Sequence, residues 1–348
     1  MEEKYMRRCF ELARLGAGSV SPNPMVGAVL VHGDRIIGEG WHRRYGEAHA
    51  EVNALASVRE ADLHLVGSST LYVSLEPCNV HGRTPPCSDL IIRHRIPRVV
   101  VSCTDLSPAV SGRGIRQLRE AGVEVRTGIL EEEGRALCRI RETFVQRNRP
   151  FVLLKFARSV DGCLGREGEQ VAISHAYTRR WVHRLRSRYD AILVGTKTVL
   201  TDDPALTDRY WGGRNPLRIV LDRCLRIPDT ARVLRDGHPT LVITENPPPP
   251  GGASAAAYMT MPFDGDMLAR LMEALYLRQV SSLLVEGGGQ ILRSFAAQGL
   301  WDQALIIDGS VATGSGGIPA PRIDGRLTEL HQLGKDRLLL FDNPAAHR

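Results

Sequence analysis

His49-Ala50-Glu51 and, further on, Glu76-Pro77-Cys78-Asn79-Val80-His81-Gly82-Arg83-Thr84-Pro85-Pro86-Cys87 are the stretches around which the chain is organised. One imidazole and two thiolates are a sound donor set for a tetrahedral zinc ion. Three protein ligands leave the fourth position to water, which marks a catalytic site and not a closed structural one. His49, Cys78 and Cys87 are therefore the expected ligands. Glu51 lies two residues past His49, too close to add a second ligand from one helix turn. It is well placed to accept a proton from that water and to hand it to a leaving ammonia. His42, His81 and Cys103 are alternative ligands, but none completes a tighter spacing. A structural zinc knot or a reduced cysteine pair would need neither Glu51 nor Pro77 at these offsets.

The surrounding pattern alternates strands and helices. Apolar positions Tyr5, Met6, Cys9, Phe10, Leu12, Ala13 and Leu15 have helical spacing and stop at Gly16. Ser21-Pro22-Asn23-Pro24 reads as a rigid turn into an apolar strand over 25–31, with His32-Gly33-Asp34 turning back into a second strand. A helix is expected from His49, a strand over 70–75 that delivers Glu76-Pro77-Cys78, and a helix from Ser88. A strand over 98–102, a helix over 113–121 and a strand over 123–125 follow. This alternation argues a three-layer α/β domain. A charged helix over 131–149 then breaks at Pro150, which places a domain boundary near residue 148, giving units 1–147 and 148–348.

Beyond it, apolar runs over 151–157, 191–195, 217–222, 240–244, 282–286 and 305–308 are separated by helical patterns, predicting a mostly parallel sheet. No Gly-x-Gly-x-x-Gly follows the first run, so the standard dinucleotide fold is not supported. Glu286-Gly287-Gly288-Gly289 does lie between a strand and a helix. There, glycines permit close backbone approach and free N–H groups can meet an anion.

The 348 residues suit two domains, and an apolar content of 43% supports globular folding. No apolar run reaches membrane-spanning length, and the start Met1-Glu2-Glu3-Lys4-Tyr5 has no apolar signal region. Seven scattered cysteines fit a reducing, cytoplasmic setting. The net charge of +6 invites a nucleic-acid reading, but the arginines are interleaved with acids and there is no basic tail. Guanidinium forks also match small phosphates, which are the expected partners.

The His-x-Glu and Pro-Cys…Cys halves resemble the zinc nucleobase deaminases. With Cys78-x8-Cys87 in place of Cys-x-x-Cys, the stretch is similar to the deaminase half of the bifunctional riboflavin-biosynthesis deaminase–reductases. Lys155-x5-Asp161-Gly162, the run from Asp202 to Arg209, and Leu284-Val285-Glu286-Gly287-Gly288 resemble the reductase half of that family, in the same order. The resemblance implies a cytidine-deaminase-like domain followed by a dihydrofolate-reductase-like domain. It implies zinc-dependent deamination of 2,5-diamino-6-ribosylamino-4(3H)-pyrimidinone 5′-phosphate, then NADPH reduction of the ribosyl chain. It assigns substrate contacts to Asn23, Arg186, Leu206, Arg209 and Glu286, while Arg83, by its place in the zinc loop, is a candidate for a substrate phosphate or carbonyl contact. It assigns NADPH contacts to Ala157, Thr198, Asp202 and Gly287-Gly288-Gly289. Lys155 and Glu286 are expected to assist ring opening and protonation, and Arg223 and Lys197 to face the 2′-phosphate. A homo-oligomer is expected. The family's Gly-x-Ser-x-Trp-Ile-Thr/Ser run is replaced here by Gly168-Glu169-Gln170-Val171-Ala172-Ile173-Ser174. The rival readings are a deaminase carrying a non-catalytic second domain, and a nucleic-acid deaminase.

Overall fold

The computed structural model describes residues 2–82, 85–107, 110–247 and 256–347. The chain separates into two compact units, Met1–Asn148 and Arg149–Arg348.

The first unit runs α1 (Glu2–Arg14), β1 (Gly27–His32), β2 (Arg35–Trp41), α2 (Ala50–Ala56), a 3-10 segment (Glu60–Ser68) and β3 (Thr70–Leu75). It continues with α3 (Cys87–Arg93), β4 (Arg98–Cys103), α4 (Arg113–Glu120), β5 (Glu124–Arg126) and α5 (Glu131–Arg147). The sheet order is β2-β1-β3-β4-β5, antiparallel through β3 and parallel from β3 onward. Strand periodicity splits the apolar residues between two faces. Ala28, Leu30, Leu71, Val73, Val99 and Val101 pack with Ala50 and Ala54 of α2, Ile91 of α3 and Leu118 of α4. Val29, Val31, Tyr72 and Val100 pack under Tyr5, Met6, Cys9 and Phe10 of α1. Two glycines set how closely the helices sit. A Cβ on Gly27 would lie 2.0 Å from the Cys9 carbonyl oxygen, and one on Gly40 would lie 2.2 Å from the Ala54 nitrogen.

The second unit contains β6 (Phe151–Arg158), β7 (Cys163–Arg166), α6 (Ala176–Arg186), β8 (Ala191–Gly195), α7 (Thr196–Asp202) and β9 (Leu217–Leu221). Then come α8 (Arg232–Arg235), β10 (Thr240–Thr244), β11 (Ala256–Thr260), α9 (Met267–Leu277), β12 (Ser282–Val285) and α10 (Gly289–Ala297). β13 (Gln303–Asp308), β14 (Gly317–Pro319), β15 (Arg326–Leu333) and β16 (Asp336–Asp342) complete it. The nine-stranded sheet has order β11-β10-β9-β8-β12-β6-β13-β16-β15. It is parallel from β11 to β13, and the β15–β16 hairpin adds antiparallel strands. The central strands are apolar on both faces, as expected of a covered parallel sheet. Val152, Leu154, Leu193, Ile219 and Leu283 lie in one core with Leu271 and Leu275 of α9 and Phe295 of α10.

Two expectations are refined. His49 caps α2 and does not occupy its first turn. The hairpin and β11 were not expected, and they widen the sheet at both edges.

Candidate active sites

The turn after β3 carries Cys78, α3 opens with Cys87, and the extended residue before α2 is His49. His49 Nδ1 lies 3.5 Å from Cys78 Sγ and 3.4 Å from Cys87 Sγ, and the three donor atoms lie within 4.8 Å of one another. Ordinary zinc–sulfur and zinc–nitrogen bonds at a tetrahedral angle demand an N···S separation of about 3.6 Å. The donors are therefore spaced for the ion. Among the described residues this is the one such group of three.

The electrostatics agree. Cys78 takes hydrogen bonds from Cys87 and His49, which hold its thiol down at about 4, while Cys87, as the donor, is held well up. This asymmetry belongs to the metal-free pair, because a bound dication favours thiolate on both sulfurs. The Cys87 backbone N–H, at the start of α3, lies 3.5 Å from Cys78 Sγ. Glu51, on the first turn of α2, is 3% exposed. Burial, reinforced by Cys78, pushes its carboxyl up, in the direction needed by a group that must hold a proton. His42 is buried and meets the His49 ring edge-on, with centroids 5.4 Å apart. Its Nδ1 lies 3.1 Å from the Ala48 carbonyl, which can only accept, so Nδ1 carries the hydrogen. Nε2 then accepts from Asn23 Nδ2 at 3.1 Å. The Asn23 amide is thereby oriented with its oxygen away from His42. His42 is not in the donor group, and neither is Cys103. Arg83 lies outside the described residues.

In the second unit the expected residues gather at the carboxyl ends of parallel strands, where ligands bind in open α/β sheets. Lys155 is on β6, Glu286 follows β12, Thr198 is on α7 after β8, and Arg223 follows β9. Arg186 on α6 grips Glu286 with two hydrogen bonds, of 3.0 and 2.8 Å, and Lys155 Nζ lies 3.9 Å from the same carboxylate. Burial alone would raise Glu286, but Arg186 and Lys155 outweigh it and hold the carboxyl at about 2. Burial lowers Lys155, only partly opposed by Glu286.

Gly287 has φ +147°, open to glycine and strained for other residues. A Cβ on Gly287 or Gly288 would stand 3.5 or 3.4 Å from Thr198 Oγ1, so Thr198 faces the glycine turn and the missing side chains leave the space between them clear. This cradle fits the backbone approach that a dinucleotide phosphate requires. Ala157 lies beside it in the sheet order, on β6 opposite Ile307, and Asp202 closes α7.

The first 103 residues match the family model of the cytidine and deoxycytidylate deaminase zinc-binding region, and residues 150–338 match that of the RibD C-terminal domain. The riboflavin biosynthesis protein RibD of Aquifex aeolicus is 37% identical, with 98% of each chain covered. The chain belongs to the RibD family. Its relative from Escherichia coli is 36% identical over 88% of this chain and 86% of that one. A Thermotoga maritima crystal structure described as a diaminohydroxyphosphoribosylaminopyrimidine deaminase/5-amino-6-(5-phosphoribosylamino)uracil reductase superposes with a TM-score of 0.89, at 36% identity and 98% coverage of both chains. This RibD-family chain is thus a bifunctional riboflavin-biosynthesis enzyme, a deaminase and a reductase, and its cofactors are zinc and NADPH.

Several placements add to the reading of single residues. Arg186 is engaged by Glu286 and is not free to grip another anion with the same fork edge. Arg209 is exposed, and among the described residues its guanidinium has no carboxylate partner. Leu206 is buried at φ +56°, so the loop offers backbone there and not a side chain. Lys197 pairs with Glu167, and Arg223 with Glu245. Gln170 donates to the carbonyls of Thr201 and Asp202, tying the departing 168–174 segment to the end of α7.

Three supporting residues were not expected. His183 accepts the Arg209 N–H on Nδ1 at 3.2 Å. Arg218, 1% exposed within β9, grips Asp236 and also donates to the Ala205 carbonyl, anchoring the Leu206 loop. Glu76 is buried directly before the Cys78 turn. A helical His and a strand Arg resemble surface residues in sequence, and only the fold reveals their partners.

Proposed function

We propose that the unit ending near residue 148 deaminates a phosphorylated diaminopyrimidine and that the unit beyond it reduces the ribosyl chain of the product. The substrate named for the Thermotoga relative, a diaminohydroxyphosphoribosylaminopyrimidine, is the compound assigned here. The observation that carries this reading is the His49, Cys78 and Cys87 donor set with Glu51 buried beside it.

His49, Cys78 and Cys87 would hold zinc, which makes a water nucleophilic near neutral pH. Glu51 takes the proton released as water adds to the amino-bearing ring carbon and passes it to the departing nitrogen, which leaves as ammonia. Asn23, oriented by His42, accepts a hydrogen bond from the pyrimidine edge through its free oxygen. Arg83 is assigned to the substrate phosphate or carbonyl.

In the second unit, Ala157, Thr198, Asp202 and Gly287-Gly288-Gly289 would hold NADPH, which supplies hydride. Arg209 is assigned the 5′-phosphate, and Arg186 acts chiefly by holding Glu286. Leu206 contributes backbone to the substrate. Lys155 and Glu286 assist ring opening, and Lys155, whose ammonium burial makes easier to deprotonate, delivers a proton to the nitrogen as the carbon is reduced, with Glu286 remaining the anion beside it. Arg223 and Lys197 are assigned to the cofactor's 2′-phosphate, for which each must leave its present carboxylate.

A small-molecule substrate, without nucleic acid, is supported by how many surface arginines are already paired with acids, such as Arg8 with Glu39, Arg35 with Asp62 and Arg98 with Glu2. No helix among the described residues is long and apolar enough to cross a membrane, and a cytoplasmic location is assigned on this reading. A homo-oligomer closed at β15 is supported by the outer edge of that strand, which pairs with no other strand among the described residues, with Leu327 and Leu330 47% and 55% exposed.

The test is a coupled assay on the phosphorylated diaminopyrimidine, with and without NADPH. Ammonia release should not need NADPH, and NADPH oxidation should follow deamination. Ammonia release without any later NADPH oxidation would reject the reductase assignment, and no ammonia release from zinc-loaded protein would reject the substrate.

A further inference from the structure

Behind the two cysteines, outside the donor group, a buried carboxylate holds the loops together. Glu76 is 4% exposed at the end of β3 and is separated from Cys78 by Pro77 alone. Its Oε1 accepts the backbone N–H groups of Gly114 and Ile115 at 3.0 and 3.3 Å, and its Oε2 those of Gly112 and Asp105 at 3.0 and 3.2 Å. Gly114 and Ile115 lie in the first turn of α4, and Gly112 is its capping residue, at φ +70°. Among the described residues no cation pairs with Glu76, so backbone donors are what accommodate the anion. An isolated buried charge is costly, and four N–H groups converging on one carboxylate offset that cost. The contact is also tight in main chain: a Cβ on Gly114 would stand 1.9 Å from the Pro77 carbonyl oxygen.

The same helix reaches the second cysteine. Gln117, one turn along α4, accepts from Ser88 Oγ at 2.8 Å and donates to Asp89 Oδ1 at 2.6 Å. Ser88 and Asp89 directly follow Cys87, and the Ser88 N–H donates to the Cys78 carbonyl at 3.1 Å. A continuous circuit therefore runs from Glu76 through α4 and Gln117 to Ser88, closing on both cysteine loops.

We infer that Glu76 is a positioning residue for the metal centre: by pinning the start of α4 beneath the Pro77-Cys78 turn, it sets the separation of the two thiolates that bind zinc. The inference rests on the zinc reading of His49, Cys78 and Cys87. Glutamine cannot replace Glu76 in this role, because its NH2 group would face a pair of N–H donors where an acceptor is required.

The experiment uses the full chain with Glu76→Gln, Gln117→Ala and the double variant. Zinc affinity is read by chelator competition, and ligand geometry by the absorption of the cobalt-substituted protein. Glu76→Gln should bind zinc tenfold to a hundredfold more weakly, the usual range for groups that orient metal ligands, and should shift the thiolate-to-cobalt and d–d bands. Gln117→Ala should move both readouts in the same direction by less, and the double variant should lose less than the sum of the two. A folded Glu76→Gln protein with parental zinc affinity and an unchanged cobalt spectrum would overturn the inference. If Glu76→Gln does not fold, Gln117→Ala decides, and parental values for both readouts would overturn it equally. Failure of the parent chain to bind zinc or cobalt would instead overturn the site reading on which the inference rests.

Discussion

Glu51 and Glu286 are both buried carboxyls, yet their surroundings drive them in opposite directions. Burial beside Cys78 pushes Glu51 up, whereas the two cations around Glu286 hold it down. The first is suited to carrying a proton and the second to remaining an anion. Replacing Glu51 with Gln should therefore remove the proton carrier and leave the three ligands intact. Ammonia release should fall by about 10²–10⁴-fold, the usual contribution of a positioned acid/base, with zinc content unchanged. Parallel metal analysis and an ammonia assay check this, and a Glu51→Gln protein of parental rate would contradict the role. Glu286→Ala instead leaves Arg186 and Lys155 buried without their counter-ion. Removing one member of a buried pair costs about 3–5 kcal/mol, so the second unit should melt well below the parent in a thermal scan. At this scale the zinc set was legible because its chemistry follows from donor types and spacing. Glu76 was not, since nothing in Leu-Glu-Pro-Cys announces four backbone donors arriving from residues 105–115.

Elements carry these side chains, and their placement depends on contacts far from the chemistry. α2 carries Glu51 in its first turn and His49 at its cap, and its seat on β2 depends on Gly40, which lets the two backbones meet. Gly40→Ala would force α2 outward. It should cost about 1–3 kcal/mol, as overpacking does, and weaken zinc retention in the same protein, read by thermal unfolding and chelator competition. α6 brings His183 and Arg186 together, and that pairing has a pH signature. Burial, with Arg186 and Arg209 nearby, lowers His183 from 6.5 to about 4. Between those values the unfolded chain binds a proton that the folded chain refuses, so stability falls as pH falls from 6.5 to 4. Glu286, lowered from 4.5 to about 2, then loses its contribution as pH falls through that lower window. Urea unfolding of the second unit should show both losses, and His183→Gln should flatten only the upper one. Of the elements themselves, the parallel strands of the second unit other than β11 were readable as apolar runs because both faces are covered; β11 has no fully buried residue. β15 was not readable: all but the last of its eight residues are exposed, so no alternation marks it. Its existence depends on pairing with β16, a non-local contact that composition does not record.

Across the whole molecule, each unit closes a core from its own residues. The clusters around β1, β3 and β4 draw on residues before 148, and the large cluster around β6, β8 and β12 on residues after it. The two units meet where a charged helix reaches Arg149-Pro150 and an apolar strand follows immediately. On the proposed assignment each cofactor has its donors within one unit, so each should stabilise that unit by mass action. A ligand at a thousand times its dissociation constant adds about 4 kcal/mol to the state that binds it. Differential scanning calorimetry of the zinc-loaded chain should therefore resolve two transitions. Chelation should lower the one assigned to Met1–Asn148 by several degrees and leave the other in place, and NADPH should raise only the one assigned to Arg149–Arg348. Cys78→Ala identifies the first transition, because it should reproduce the effect of chelation and abolish any further response to chelator. A single transition that moves equally with zinc and with NADPH would show that the two units unfold as one body, and the assignment of each cofactor's stabilisation to a separate core would then be wrong.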